Sequence, residues 1–238
     1  DLRTPHAHPS AKQRQMTARI VLDLDGPLID SAPDVQNIAN AALAGVDAAP
    51  ITLADTHTFI GEGIHIFVAR MRDARNLPER FQEPLLKDLI ARYDDAFTLT
   101  ELYPGVRAAL TALSQTHRLG ICTNKLHRPC IRVLRHLRID HFFASVWGGD
   151  NPIARKPDPA PLRAVFEELG SGPRIYVGDS EIDAETAQRA GVPFVLFTGG
   201  YRKSDVDQIP HSVALDDFHD LLTKIGPILA QAQTRSGT

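Results

Sequence analysis

Cysteine is nearly missing from this 238-residue chain, which has Cys122 and Cys130 and no others. Two thiols cannot build the framework of bridges that staples small secreted domains, so a reducing, cytoplasmic setting is the expectation. No apolar run approaches the roughly 18 residues that a membrane span requires. No cationic stretch followed by an apolar one marks a secretory signal. Neither sign of charge prevails, with 26 Lys and Arg against 29 Asp and Glu and a formal net charge of −3. That leaves no basic field for general nucleic-acid binding, so neither nucleic acid nor a membrane is an expected partner. Internal repeats and low-complexity tracts are missing too. With 43% apolar and 23% charged residues, the composition is globular, and the length allows one large domain or one with a smaller companion.

The segment 1–15 is polar, carries two prolines and shows no periodicity. Met16 is read as a start, with residues 1–15 as an N-terminal extension left out of fold reasoning. From Arg19 the pattern becomes that of an α/β protein. Ile20–Leu24, Leu119–Thr123, Ser145–Trp147, Ile175–Val177 and Phe194–Phe197 are short apolar stretches expected as buried parallel strands. Helical stripes alternate with them: Val106, Leu110 and Leu113; Ile131, Leu134 and Leu137; Leu162, Val165, Phe166 and Leu169. Alternating strands and helices imply a parallel sheet with right-handed crossovers, with ligands at the carboxyl ends of its strands. The stretch between the first two strands is far longer than a crossover needs. Ile64 to Arg75, and Leu85, Leu86, Leu89, Ile90, Tyr93 and Phe97, have helical spacing there, so a helical insertion from about Pro33 to Thr100 is expected. Tyr103-Pro104-Gly105 marks the return to the sheet.

Four groups of polar residues fall just beyond expected strands: Asp23-Leu24-Asp25-Gly26, Thr123-Asn124, Lys156-Pro157 and Gly178-Asp179-Ser180-Glu181-Ile182-Asp183. A parallel sheet brings all four to one rim. Two carboxylates about 4 Å apart repel by roughly 4 kcal/mol at an effective dielectric of 20. Gathered acids therefore either keep a proton or need a cation. An all-oxygen set without Cys or His suits Mg²⁺ and argues against zinc. Mg²⁺ commonly shares a substrate phosphate, and the Thr123 hydroxyl, nearby backbone N–H groups and the Lys156 ammonium suit that phosphate. An Asp beside a metal can attack phosphorus, and a second acid two residues on can protonate the leaving oxygen and then activate water.

The ordered series DLDG, TN, KP and GDSEID, with a helical insertion after the first, resembles the haloacid dehalogenase superfamily of phosphohydrolases. The similarity runs over nearly everything from Met16 onward. LYPGVRAAL, ICTNK, RKPDPAPL and YVGDSEIDAETAQRAGVPFVLFTGGYR are similar to its phosphoglycolate phosphatase branch. The resemblance implies a Rossmann-like core of residues 16–32 and 101–238 with an all-helical cap of residues 33–100. It implies a Mg²⁺-dependent hydrolase of small phosphorylated substrates, 2-phosphoglycolate first, working through an aspartyl phosphate. Asp23 matches the nucleophile and a metal ligand; Asp25 matches the acid/base, with its backbone carbonyl on the metal. Thr123 and the backbone N–H of Asn124 match the phosphate site, and Lys156 matches the lysine that neutralises nucleophile and phosphoryl charge. Asp179 matches the third metal ligand, and Asp183 a supporting acid acting directly or through water. One position departs from the pattern, because Pro27 stands where the family usually has Thr. Proline removes a hydroxyl and a backbone N–H, and with them a natural means of orienting Asp25.

Plainer readings exist for several of these residues. Gly178-Asp179-Ser180 before an acidic first turn is good N-cap material. Cys122 within an apolar strand reads as a small hydrophobe. His57, His65, His117, His136 and His141 lack partners at ligand spacing and read as packing or surface residues, and Arg70, Arg72 and Arg75 as a solvated helix face. Gly61-Glu62-Gly63 precedes a helix whose N-terminus could meet an anion, so Gly61 and Gly63 are candidate substrate contacts, with a simple turn as the plain reading. A dehalogenase would not need Asp25 or Asp179, and a phosphonate hydrolase would be expected to carry a cap lysine, which Pro33 to Leu86 lacks. A sugar-phosphate mutase, or a sugar or nucleotide phosphatase, stands as the alternative. A phospho-acceptor receiver module is roughly half this length and lacks the insertion.

Overall fold

The computed structural model describes residues 17–235. Met16 and the segment 1–15 lie outside the described residues. The first strand, β1 (Arg19–Leu22), is followed by a two-residue strand β2 (Ile29–Asp30) and four helices, α1 (Ala32–Ala44), α2 (Leu53–Phe59), α3 (Ile64–Ala74) and α4 (Gln82–Tyr93). The chain returns through β3 (Glu101–Leu102) to α5 (Val106–Ser114), β4 (Arg118–Cys122), α6 (His127–His136) and β5 (Phe143–Trp147). Then come α7 (Ala160–Glu168), β6 (Arg174–Gly178), α8 (Glu181–Ala190), β7 (Phe194–Phe197), β8 (Val213–Leu215) and α9 (Leu221–Arg235).

Six strands form one parallel sheet in the order β5-β4-β1-β6-β7-β8. The alternation of side chains along a strand assigns each residue to a face. Ile20, Leu22, Ile121, Ile175 and Val177 join the apolar cluster under α5, α6 and α9, whereas Val21, Cys122 and Tyr176 join the cluster under α7 and α8. Both faces are thus covered, as a parallel sheet requires. Cys122 and Cys130 are free thiols buried in these two clusters.

The helices between β2 and β3 pack on one another around Val35, Leu43, Phe67, Met71, Leu85 and Leu89, a cluster separate from those of the sheet. Strands β2 and β3 pair antiparallel, Ile29 opposite Leu102 and Asp30 opposite Glu101, so the chain leaves and re-enters at adjacent points. Buried Asp34 fastens this junction by accepting the Leu99 N–H at 2.9 Å and the Thr100 hydroxyl at 2.7 Å.

Local differences from the sequence expectation have simple causes. Strand β1 stops at Leu22, not Leu24, because the Leu24 N–H turns back to Asp23 Oδ1 at 2.7 Å. The buried stripe of α6 is Cys130, Val133 and Leu134, with Ile131 half-buried, because the small thiol faces the core. Ile90 points outward and is 40% exposed, leaving Leu85, Leu86 and Leu89 to bury α4. Strands β2, β3 and β8, of two or three residues, were too short to show a periodicity.

Candidate active site

Because the six strands run parallel, the residues that follow β1, β4 and β6 emerge at one edge. Asp23 is the first residue beyond β1, Thr123 the first beyond β4 and Asp179 the first beyond β6. Lys156, on the loop after β5, points its Nζ to Asp23 Oδ2 at 2.9 Å and to Asp183 Oδ1 at 2.7 Å. Asp23, Asp179 and Asp183 each offer a carboxylate oxygen within 4.8 Å of the other two. All three are buried, as is Lys156.

Two features let the acids come this close. Gly26 has φ +105°, and a Cβ there would stand 2.2 Å from Asp179 Oδ2, so only glycine admits Asp179 beside the Asp23–Asp25 turn. Asp183 belongs to the first turn of α8, where it forms a capping box with Ser180; that serine, rather than Asp179, is the N-cap. Asp179 is thereby free for the shared rim, where its Oδ2 accepts the Tyr201 N–H.

The charges respond to this crowding. Burial pushes the Asp23 carboxyl up to about 7, with Lys156 drawing it down and Asp183 pushing it further up. Burial also drives Asp179 well above the usual carboxylate range, reinforced by Asp183 and Asp23. Burial acts on Asp183 in the same direction, but the Lys156 ammonium and the hydrogen bonds to Asp183 outweigh it and hold that carboxyl below its usual value. A trio in which two members are pushed toward the neutral form is an all-oxygen nest that could hold a hard divalent cation, whose charge would reverse both shifts. The three acids are not equivalent toward such an ion. Asp183 already accepts from Lys156 Nζ and the Tyr176 hydroxyl on Oδ1, and from the Asp179 N–H, the Ser180 N–H and the Ser180 hydroxyl on Oδ2. Asp23 and Asp179 retain more acceptor capacity.

Asp25 differs from the expectation of four acids gathered with Lys156. Its carboxylate turns instead to Lys125 Nζ, at 3.0 and 3.4 Å, and to the Ser31 hydroxyl at 2.5 Å. Asn124 acts as a strut between three loops. Its Nδ2 donates to the Gly61 and Lys156 carbonyls at 3.1 Å each, and its Oδ1 accepts the Lys156 N–H at 3.0 Å. The Thr123 hydroxyl accepts the Lys125 N–H at 3.2 Å and is buried beside Asp23. Gly61 and Gly63 reach the same cavity, which Ile60, Ile64, Phe67, Leu89 and Tyr93 of the helical segment cover from above.

Lys125, Ser31, Tyr176 and Tyr201 have no assigned role in the sequence, although Lys125, Tyr176 and Tyr201 lie within the motifs quoted from it. Tyr176 is hidden in an apolar strand, yet its hydroxyl touches both Lys156 Nζ at 3.0 Å and Asp183 at 2.7 Å. Tyr201 joins Asp30 through its hydroxyl and Asp179 through its backbone. Only Lys125 left a signal, as a cation three residues past the end of β4 and directly after Thr123-Asn124.

The haloacid dehalogenase-like hydrolase family matches residues 20–197, and the chain belongs to it. A phosphoglycolate phosphatase from Cereibacter sphaeroides is 41% identical over 213 residues, 87% of this chain and 98% of its own length. One from Rhodospirillum rubrum is 37% identical over 216 residues, 87% of this chain and 90% of its own. The crystal structure of a predicted phosphoglycolate phosphatase from Haemophilus somnus superposes with a TM-score of 0.82 at 30% identity, covering 87% of this chain and 97% of the other. The chain is thus an enzyme, a phosphoric monoester hydrolase similar to the phosphoglycolate phosphatases. Among the described residues, no helix is long and apolar enough to cross a membrane.

Proposed function

We propose that this phosphatase hydrolyses a small phosphorylated acid, 2-phosphoglycolate first, to the free acid and phosphate, with Mg²⁺ as cofactor and Asp23 as the residue that carries the phosphoryl group. The observation that supports this most is the joining of Asp23 and Asp183 by one buried ammonium, Lys156, with Asp179 alongside, beneath a largely apolar cover. Mg²⁺ would be held by Asp23, Asp179 and the Asp25 carbonyl, with Asp183 supporting them, and when bound it supplies positive charge against the phosphoryl oxygens.

In the first step a carboxylate oxygen of Asp23 attacks phosphorus. The bond from phosphorus to the ester oxygen breaks, and Asp25 gives that oxygen its proton. Lys156 balances the negative charge of Asp23 and of the phosphoryl group, while the Thr123 hydroxyl and the Asn124 N–H hold phosphoryl oxygens. In the second step Asp25 takes a proton from water as its oxygen attacks phosphorus, releasing phosphate and restoring Asp23.

The helical segment 33–100 acts as a cap that selects the substrate. Ile60, Ile64, Phe67 and Leu89 offer no partner to sugar hydroxyls, so a bulky polar leaving group would lose its hydration without replacement. The turn Gly61–Gly63 meets the substrate's carboxylate. Gly63 has φ +89°, and a Cβ there would lie 3.6 Å from the Asn124 carbonyl. Gly63→Ala therefore strains this turn without filling the cavity, and KM should rise more for a carboxylated ester than for a plain phosphate ester.

The direct test is phosphate release with and without Mg²⁺ from phosphoglycolate, sugar phosphates, nucleotides and pyrophosphate. Mg²⁺-dependent release fastest from phosphoglycolate is expected. Preference for a sugar phosphate or nucleotide would overturn the substrate assignment, and isomerised product without phosphate would indicate a mutase.

A further inference from the structure

Pro27 leaves the acid/base candidate without a threonine hydroxyl beside it, yet the Asp25 carboxylate has firm partners. The turn around Pro27 closes without an N–H at that position: Gly26 donates to the Ile29 carbonyl at 3.0 Å, and the Leu28 and Ile29 N–H groups both reach the Leu24 carbonyl at 3.2 Å. Ser31, the buried residue just before α1, sends its hydroxyl to Asp25 Oδ1 at 2.5 Å. Lys125, beyond the end of β4, reaches both oxygens of the same carboxylate, sharing Oδ1 with Ser31.

Lys125 is an unusual lysine. Its side chain is 3% exposed, and Asp25 is its only ionic partner among the described residues. Its Nζ also lies 4.7 Å from the centre of the Tyr93 ring and 3.5 Å from the Tyr93 hydroxyl, at the end of α4. Burying an ammonium is costly unless it is paired and hydrogen-bonded, and here the pairing fixes a carboxylate whose direction matters. The aromatic face adds a cation–π contact from the helical segment. One charge therefore joins the β4 loop, the turn carrying Asp25 and the helical segment.

We infer that Lys125 and Ser31 are positioning residues for Asp25, holding its carboxylate toward the leaving oxygen in place of a residue-27 hydroxyl, with Tyr93 bracing the lysine from the helical segment. This rests on the reading of Asp25 as the acid/base. The geometry gives Lys125 a role separate from that of Lys156, whose partners are Asp23, Asp183 and Tyr176. Lys156 balances the nucleophile, and Lys125 aims the acid.

The test compares Lys125→Met, Lys125→Arg, Ser31→Ala and Asp25→Asn in the full chain, with thermal melts to establish folding. With phosphoglycolate, Lys125→Met should lower kcat by about 100-fold, within the range of a lost acid/base contribution, and move KM by less than about threefold. With p-nitrophenyl phosphate, whose leaving group needs no proton, the nitrophenolate burst should persist at a rate within about fivefold of the parent while steady-state turnover falls. Lys125→Arg should recover most of the loss, and Ser31→Ala should reproduce it in milder form with a similar burst. A Lys125→Met enzyme with parental kcat, or one altered in KM alone, overturns the inference while Asp25→Asn remains inactive. An Asp25→Asn enzyme with full turnover overturns instead the acid/base reading on which the inference rests.

Discussion

Asp25 and Asp183 are acids of the same rim with opposite surroundings. Asp183 is enclosed by donors on both oxygens, whereas Asp25 is half-buried and held by one hydroxyl and one ammonium. The acid/base role proposed for Asp25 calls for a fixed direction toward the reacting oxygen, and these two partners supply it. Pro27 does not disturb it, so Pro27→Thr should change kcat by less than about fivefold, roughly 1 kcal/mol of barrier. Steady-state kinetics on phosphoglycolate checks this, and a larger gain would mean that Asp25 is poorly held in the parent. The residues themselves were the most legible part of the sequence. The places of Asp23, Thr123 and Asp179 were legible because each stands directly past a strand end, and Lys156 because it sits in the loop that follows β5. Ser31 and Tyr201 were not, because a serine before a helix and a tyrosine in a Gly-rich loop look like ordinary capping and loop residues until the fold brings them to Asp25 and Asp179.

Turns and helix starts carry the precision of the site. In α8 the capping box makes Asp183 both a helix cap and the anchor of Lys156, so Ser180→Ala should cost about 1 kcal/mol in urea unfolding and also loosen Lys156. In the turn after β1, Gly26→Ala places a methyl against Asp179 at a backbone angle that L residues rarely adopt. Its effect should appear as a weakened Mg²⁺ requirement curve, with half-saturation shifted upward, as well as lowered stability; unchanged Mg²⁺ dependence would separate Asp179 from the metal. The Asn124 strut spans the β4, Lys156 and Gly61 loops, and Asn124→Ala should destabilise the chain by about 2 kcal/mol through three lost hydrogen bonds. Longer elements were legible from periodicity, since strands buried on both faces and amphipathic helices leave strong patterns. Strands β2 and β3 were not, because their pairing joins Ile29 to Leu102 across the whole helical segment and no local pattern records it.

At the scale of the whole molecule, a formal charge of −3 conceals a concentrated acidic nest, and the proposed Mg²⁺ makes stability a matter of pH and of the cation together. Asp23 is pushed up to about 7 and Asp179 well above 3.8, so the folded chain keeps protons that the unfolded chain has released once the pH exceeds about 4. Stability without a divalent cation should therefore fall as pH rises through the window from about 4 to 7. Asp183, held low, contributes stability that levels off just above the unfolded carboxylate value of 3.8 and is lost only toward lower pH, so it does not reverse the trend. Melting curves should show Tm declining across this range in a chelator, and Mg²⁺ restoring more stability at pH 8 than at pH 5. An equal effect of Mg²⁺ at both values would mean that the ion does not occupy the nest. Passage of the phosphoryl group through Asp23 can be followed by rapid acid quenching of the enzyme with ³²P-labelled phosphoglycolate and peptide mapping. Transient, hydroxylamine-labile label is expected on the peptide containing Asp23 and not in Asp23→Asn. Label on another residue, or full turnover by Asp23→Asn, would contradict passage through Asp23.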